Sequence, residues 1–315
     1  MKDKSDQLHA IGNLLTYPRL VFLLLLKSFG GTPPERVRYG PHPRQYMLQF
    51  EPVDPVRGLA VFFIHGGGWQ SLRPDYFEAI GRFFSRQGYA VCLPSYRLAP
   101  RHKHPAQLND ASAAYGLFLR RLAESGRSDI PVVVGGNSAG AHIAAFLALD
   151  PRLCAVEGHD HIRGLLSMAG PLRWDLPYPS AIKPMMRGLI RKVRAWPEAD
   201  PYLLLQQPQT KWLLALQGSW DPLVRPEAAM DFAQAWSPDG SRAELHVLEH
   251  HFHSDVCCDA FLKRGKERDW LLSFLKNVED EGLSTLSSEA EICSDPGLPE
   301  PMRRERANPY LESDD

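Results

Sequence analysis

Five residues, Gly136-Asn137-Ser138-Ala139-Gly140, separate the apolar run of residues 130–134 from a helix-like run over residues 141–149. A serine flanked by glycines between a strand and a helix is typical of a nucleophile elbow, a tight turn that lifts the hydroxyl clear of the sheet. Glycine at positions 136 and 140 removes side chains that would collide in so tight a turn. The stretch therefore predicts Ser138 as a nucleophile beside a helix N-terminus, which favours developing negative charge.

A second glycine-rich turn comes earlier in the chain. His65-Gly66-Gly67-Gly68-Trp69 ends the apolar run of residues 59–64. Three glycines let the backbone approach a substrate closely and direct N–H groups at it. In lipases and esterases such a turn forms an oxyanion hole together with the N–H of the residue after the nucleophile. The predicted donors are Gly67, Gly68 and Ala139. The alternative is that both glycine clusters are ordinary tight turns.

Composition limits the class of protein. The chain has 315 residues, 44% of them hydrophobic, which suits one α/β domain with a small insertion. Its net charge of −1 provides no electrostatic footprint for nucleic acid. Five cysteines without framework spacing favour a reducing compartment, so we expect a cytoplasmic location. The sequence leaves the oligomeric state open.

Apolar runs alternate along the chain with helical patterns. This alternation predicts an α/β fold with a mostly parallel central sheet and helices on both faces. The predicted strands are residues 47–53, 59–64, 90–93, 132–134, 162–168, 211–216 and 243–248, and the predicted helices include residues 76–86, 107–123, 226–236 and 263–276.

The catalytic domain is predicted over residues 32–278, with a cap inserted at about 171–210. The insertion interleaves prolines with apolar and aromatic residues. Because long structureless loops are uncommon inside compact domains, we expect it to cover Ser138.

Both ends of the chain lie outside this domain. Residues 1–31 include the apolar run 20–26, which is too short to span a bilayer. This segment is predicted as a helix packed on the body; the alternatives are a lid over the active site or, least favoured, a membrane-surface contact. Residues 279–315 are rich in Ser, Glu, Asp and Pro, which predicts a mobile or loosely docked tail.

Residues from about 61 to 276 resemble the HGGG-bearing carboxylesterases, which have the α/β-hydrolase fold. Besides the two glycine turns, the matching stretches are Tyr96-Arg97-Leu98-Ala99-Pro100, Ala141-His142 and Gly218-Ser219-Trp220-Asp221. The group includes hormone-sensitive-lipase-like and feruloyl-esterase-like enzymes, kynurenine formamidase and isoprenylcysteine methylesterase. The resemblance implies an α/β-hydrolase fold and hydrolysis of carboxylic esters.

Three positions depart from the hormone-sensitive-lipase pattern, namely Ser95, Asn137 and Ala141. Residues 138–142 look more like the methylesterase and formamidase branch, and residues 253–255 look like the histidine region of the methylesterase. The chain therefore resembles that branch more than the hormone-sensitive-lipase branch.

A serine hydroxyl needs a base within hydrogen-bond reach, and the base needs an acid that fixes its tautomer. In α/β-hydrolases these partners follow in the order Ser, Asp or Glu, His. Asp221 comes just after the apolar run 213–216 and is the predicted acid; the alternative is an aspartate that only shapes a turn. His250, His251 and His253 follow the last strand, and the loop length in related proteins favours His253.

Four histidines within residues 246–253 could suggest a metal site. A serine hydrolase needs no metal, and no Cys/His spacing is typical of zinc, so neither a metal nor a cofactor is expected. The resemblance also implies supporting roles: His142 packs near the site, Asp110 is structural, and Tyr96 with Arg97 braces the oxyanion turn.

The expected function is that of a serine carboxylesterase acting on short- to medium-chain acyl or aryl esters through an acyl-enzyme. Its partner is a small-molecule ester, for which Trp69 and Trp174 are candidate binding residues. One alternative keeps the triad but cleaves an amide such as N-formylkynurenine, a lactone or a thioester. Another is a non-catalytic binding protein similar to the plant gibberellin receptor, which lacks a working triad histidine.

Overall fold

The computed structural model describes residues 33–154, 158–178, 180, 182–190, 197–262 and 264–293 of the chain. The predicted helix or lid over residues 1–31 lies outside the described residues, and so does the tail from residue 294 onward. Within the described ranges, no helix is both long and apolar enough to cross a membrane.

Eight strands form one sheet in the order β1-β2-β4-β3-β5-β6-β7-β8. Strands β1 and β2 run antiparallel to their neighbours, and β3 to β8 are parallel to one another. Their bounds are Glu35–Arg38 (β1), Tyr46–Phe50 (β2), Ala60–Ile64 (β3), Ala90–Pro94 (β4), Val132–Asn137 (β5), Ile162–Met168 (β6), Trp212–Gly218 (β7) and Ala243–Leu248 (β8).

Seven α-helices are present in the described ranges. Their bounds are Glu78–Arg86 (α1), Ala106–Glu124 (α2), Ala139–Leu149 (α3), Lys183–Leu189 (α4), Pro226–Trp236 (α5), Asp255–Leu262 (α6) and Lys266–Cys293 (α7). Helices α2, α3 and α5 pack on one face of the sheet, and α1, α6 and α7 pack on the other. The predicted mostly parallel sheet with helices on both faces is confirmed.

The core is divided by the sheet into two apolar clusters. Side chains alternate along a strand, so the adjacent residues Phe62 and Phe63 enter different clusters, and both are fully buried. The first cluster also takes in apolar side chains from the segment between β6 and β7, the predicted cap. Those side chains are Leu172, Trp174, Tyr178, Ile182, Met186, Leu189, Ile190 and Ala199.

Some elements differ from the sequence-based predictions. Strand β2 ends at Phe50 rather than at residue 53, because Pro52 cannot donate to a sheet ladder. The last helix continues past residue 276 to Cys293, through the position where the tail was predicted to begin. Glu279 is buried there and accepts a 2.7 Å hydrogen bond from the Gly58 N–H, so tertiary contacts hold this part of the helix. Strand β1 and helix α6 were not predicted.

Parallel strands end at a common edge of the sheet. The carboxyl ends of β3, β5, β7 and β8 are followed by the oxyanion turn, Ser138, Asp221 and the three candidate histidines, in that order. In open α/β sheets this edge is where ligands bind. The topology therefore gathers the predicted site residues at one edge.

Candidate active site

Ser138 occupies the turn between β5 and α3. Its backbone angles, φ 54° and ψ −120°, belong to a conformation that non-glycine residues rarely adopt. The turn is held by a 2.8 Å hydrogen bond from the Ser138 N–H to the Met168 oxygen. Ser138 is partly exposed, whereas Asn137 and Ala139 on either side are buried. The strained turn thus presents the hydroxyl-bearing residue at the sheet edge.

The two glycines of the elbow are required by close backbone approach. A Cβ added to Gly136 would lie 2.4 Å from the carbonyl carbon of Gly140, and one added to Gly140 would lie 2.0 Å from the Ile64 oxygen. Helix α3 therefore begins directly against the end of β3, where the oxyanion turn starts. This proximity brings the predicted nucleophile and the predicted oxyanion donors to one place.

The oxyanion turn has three consecutive residues with positive φ: Gly67 at 113°, Gly68 at 59° and Trp69 at 60°. The Gly67 oxygen accepts hydrogen bonds from the N–H groups of Gln70 (3.1 Å) and Ser71 (3.0 Å), which close the turn. Gly67 and Gly68 are partly exposed. Ala139 is the first residue of α3, where an N–H has no acceptor within its own helix. This geometry suits the predicted set of donors.

Ring stacking and several hydrogen bonds support the backbone on both sides of this turn. The His65 ring stacks on Tyr96 with ring centres 4.3 Å apart, and the Tyr96 hydroxyl donates to the His65 oxygen at 3.1 Å. Burial lowers the pKa of His65 to about 3, so the ring is neutral and donates from Nδ1 to the Gly66 oxygen at 2.7 Å. Asp110 accepts from the Arg97 N–H at 2.7 Å and from Arg97 Nε at 3.0 Å. These contacts agree with the bracing roles expected from the sequence.

Asp221 and His253 form a buried hydrogen-bonded pair. His253 Nδ1 donates to Asp221 Oδ2 at 2.6 Å, and their side chains are 4% and 0% exposed, respectively. Asp221 Oδ1 accepts from the N–H groups of Leu223 (2.8 Å) and Val224 (2.9 Å). The contact with Asp221 favours the His253 tautomer with the proton on Nδ1, in which Nε2 carries the lone pair that the predicted base requires.

The two other candidate histidines are engaged elsewhere. His251 Nε2 lies 3.0 Å from Asp259 Oδ2, and its Nδ1 lies 2.8 Å from the Glu249 oxygen. The hydrogen bond to Asp259 raises the pKa of His251. His250 is exposed, and its ring packs edge-on against Trp220, with ring centres 4.5 Å apart. Of the three candidates, His253 is the one whose ring contacts Asp221.

Trp69 and Trp174, the candidate substrate-binding residues, pack around His142. The His142 ring accepts at Nδ1 from Trp69 Nε1 (3.3 Å) and donates from Nε2 to the Ala199 oxygen (2.7 Å). The Trp174 ring centre lies 5.2 Å from that of His142. The two tryptophans are 1% and 2% exposed, and their contacts with His142 join helix α3 to the oxyanion turn and the cap. Their contact with substrate stays a prediction.

Gln217 is a site residue that the sequence reasoning missed. Its Nε2 donates to Asp221 Oδ2 at 2.9 Å and to the Val224 oxygen at 3.0 Å, and the residue is fully buried. The sequence does contain an indication of this role. Gln217 is a polar residue directly after the apolar run 213–216, in the strand that precedes the predicted acid Asp221. Gln217 holds the oxygen of Asp221 that faces His253.

The sheet order, the strained serine turn and the glycine turn beside it together define an α/β-hydrolase. A family model described as the alpha/beta hydrolase fold matches residues 61–257. The chain belongs to this family, and the predicted fold is confirmed.

Comparison with known proteins is consistent with the predicted branch. The rice (Oryza sativa subsp. japonica) protein named "Probable isoprenylcysteine alpha-carbonyl methylesterase ICME" is 24% identical over 253 residues, which are 74% of this chain and 60% of that protein. Carboxylesterase NlhH of Mycobacterium tuberculosis is 35% identical over 89 residues, 28% of each protein. The chain therefore spans 60% or less of the length of these relatives.

Solved structures show the same fold. Apo esterase 2 of Thermogutta terrifontis superposes with a TM-score of 0.61 at 23% identity, covering 80% of this chain and 95% of that one. The same esterase phosphonylated by sarin gives a TM-score of 0.63 at 22% identity, with the same coverage. At this level of identity the similarity concerns the fold.

Proposed function

We propose that this protein is a serine carboxylesterase that hydrolyses short- to medium-chain acyl or aryl esters. The observation that carries the proposal is the buried 2.6 Å contact between Asp221 and His253, at the sheet edge where Ser138 occupies a strained turn. A methylesterase and a carboxylesterase among the curated relatives support the same bond type. The partner is a small-molecule ester.

The proposed reaction proceeds in two halves. Ser138 Oγ attacks the ester carbonyl carbon while His253 Nε2 takes the hydroxyl proton. The tetrahedral intermediate collapses as His253 returns this proton to the departing alkoxide, leaving an acyl-enzyme. Water then attacks the acyl carbon with His253 as base, and the acid leaves as Ser138 regains its proton. Asp221 keeps the imidazole in the required tautomer and stabilises its protonated form.

Charge on the carbonyl oxygen is stabilised by the N–H groups of Gly67, Gly68 and Ala139. A single donor of this kind is worth about 3 kcal/mol of transition-state stabilisation in a protease. Ala139 adds the favourable end of the α3 dipole. The oxyanion turn should therefore contribute to kcat on a scale comparable to that of the triad.

Two further features belong to this proposal. Cys92, Cys154 and Cys257 are buried free thiols, which supports a reducing compartment such as the cytoplasm. Trp69 and Trp174 contribute to substrate binding by shaping the wall between the nucleophile helix and the cap.

The test is Ser138→Ala, assayed with p-nitrophenyl esters of increasing acyl length beside N-formylkynurenine and methyl ferulate. We expect the variant to keep its circular dichroism spectrum and to lose ester hydrolysis, apart from a residual rate from the oxyanion hole and binding. Turnover of N-formylkynurenine alone by the wild type would assign an amide hydrolase instead. Wild-type-like turnover by Ser138→Ala would reject the mechanism.

A further inference from the structure

Met185, in the short cap helix α4, lies against the oxyanion turn. A Cβ added to Gly68 would be 2.5 Å from the Met185 sulfur and 3.3 Å from its Cγ. The thioether therefore occupies the space that any side chain at position 68 would need. Met185 is half-buried, as Ser138 is, so the sulfur lies at a partly open surface beside the predicted oxyanion donors.

Helix α4 is fixed in this place by contacts in its middle and at its C-terminal end. Gln70, in the oxyanion turn, donates from Nε2 to the Met185 oxygen at 3.0 Å. The same amide lies against Gly188, where an added Cβ would be 2.3 Å from Gln70 Nε2. At the far end, the His104 N–H donates to the Leu189 oxygen at 3.1 Å. The position of Met185 relative to the oxyanion turn is therefore set by the fold.

The sheet order indicates which part of an ester meets Met185. The oxyanion turn follows β3, on one side of β5, while His253 follows β8, on the other side. The departing alcohol receives its proton from His253, so it must face the β8 side. The carbonyl oxygen points at the N–H groups of the oxyanion turn. The acyl group, the remaining substituent of the carbonyl carbon, therefore leaves on the side away from His253, where Met185 borders that turn.

We propose that Met185 is the residue that limits the length of the acyl group, an inference that rests on the proposed esterase function. Its unbranched thioether forms an adaptable wall next to the oxyanion donors. Met186, the next residue, is placed differently, because it is completely buried in the core cluster. Met186 is therefore a matched control of the same residue type on the same helix.

The experiment measures kcat/KM for p-nitrophenyl acetate and p-nitrophenyl octanoate in the full-length wild type and in three variants. Met185→Ala should raise the octanoate-to-acetate ratio about tenfold, since changes of apolar pocket size are worth about tenfold or more. Met185→Phe should lower the ratio by a similar factor. Met186→Ala should lower Tm through a core cavity and leave the ratio unchanged.

Two kinds of failure are distinguishable. If the wild type hydrolyses the esters but Met185→Ala and Met185→Phe keep its ratio, the assignment of Met185 is overturned and the esterase proposal stands. The same holds if Met186→Ala shifts the ratio as much as Met185→Ala does. If the wild type hydrolyses neither ester, the proposed function itself fails, and the role of Met185 fails with it.

Discussion

The backbone oxygen of His251 lies where a side chain at Gly218 would begin, because a Cβ added to Gly218 would be 2.3 Å from that oxygen. The same oxygen accepts a 3.1 Å hydrogen bond from the Trp220 N–H. The loop carrying Asp221 therefore packs backbone to backbone on the loop carrying His253. This contact helps to set the position of Asp221 relative to His253, the proposed acid and base.

Replacing Gly218 by alanine should push the two loops apart. Overpacking of this kind costs about 1–3 kcal/mol of stability. We expect Tm to fall and kcat/KM for p-nitrophenyl acetate to drop at least about tenfold, since displacement of a catalytic group is costly. Gly116→Ala in helix α2 is the matched control, because its added Cβ would meet only Arg120 Nη1 at 3.7 Å. Unchanged kinetics in Gly218→Ala would show that the close contact does not position the pair.

The histidine assignment predicts unequal losses among neighbouring alanine variants. His253→Ala removes the base held by Asp221, so kcat should fall by roughly a thousandfold or more. His251→Ala breaks a pair with Asp259 that lies outside the proposed relay, and we expect less than about a tenfold loss. Steady-state kinetics on one ester, with Tm measured for each variant, compares them. An inactive His251→Ala beside an active His253→Ala would reverse the assignment.

Buried histidines should make the fold sensitive to acid. Desolvation lowers the pKa of His65 and His142 to about 3 and that of His104 to about 4. The unfolded chain, with histidine pKa near 6.5, binds more protons than the folded chain below that pH, so stability falls as pH drops from about 6.5. Asp200 has the opposite effect on stability below pH 6. Burial raises its pKa to about 6, so the folded chain takes up this proton at a higher pH than the unfolded chain does.

Replacing His142 by glutamine tests this account. Between pH 5 and 6 the unfolded wild type binds about one proton at His142 that the folded wild type does not bind. The glutamine variant lacks this difference. The slope of the unfolding free energy against pH should therefore decrease by about 1.4 kcal/mol per pH unit. Urea unfolding at several pH values measures the slope. Parallel curves for wild type and variant would mean that His142 does not titrate on unfolding.

Local patterns in the sequence were enough to identify the turns. The elbow and the oxyanion turn are each determined by glycines within five consecutive residues, and the alternation of apolar runs predicted the parallel sheet. The sequence predicts the last helix only as far as residue 276, because the residues beyond it show no sustained apolar period. Its extension to Cys293 depends on contacts with distant residues, such as the one from Trp212 Nε1 to Glu281 at 2.7 Å.

The sequence by itself determined the fold class, the serine turn and the glycine turn, because these depend on periodicity and on backbone conformations that neighbouring residues dictate. Among three histidines within four residues, loop length favoured His253, but a pattern along the chain carries no distance across it. Only the tertiary structure shows that His253 contacts Asp221, 32 residues away in sequence, and that His251 contacts Asp259. The same holds for Met185 and Gly68, which meet because the cap folds back on the oxyanion turn.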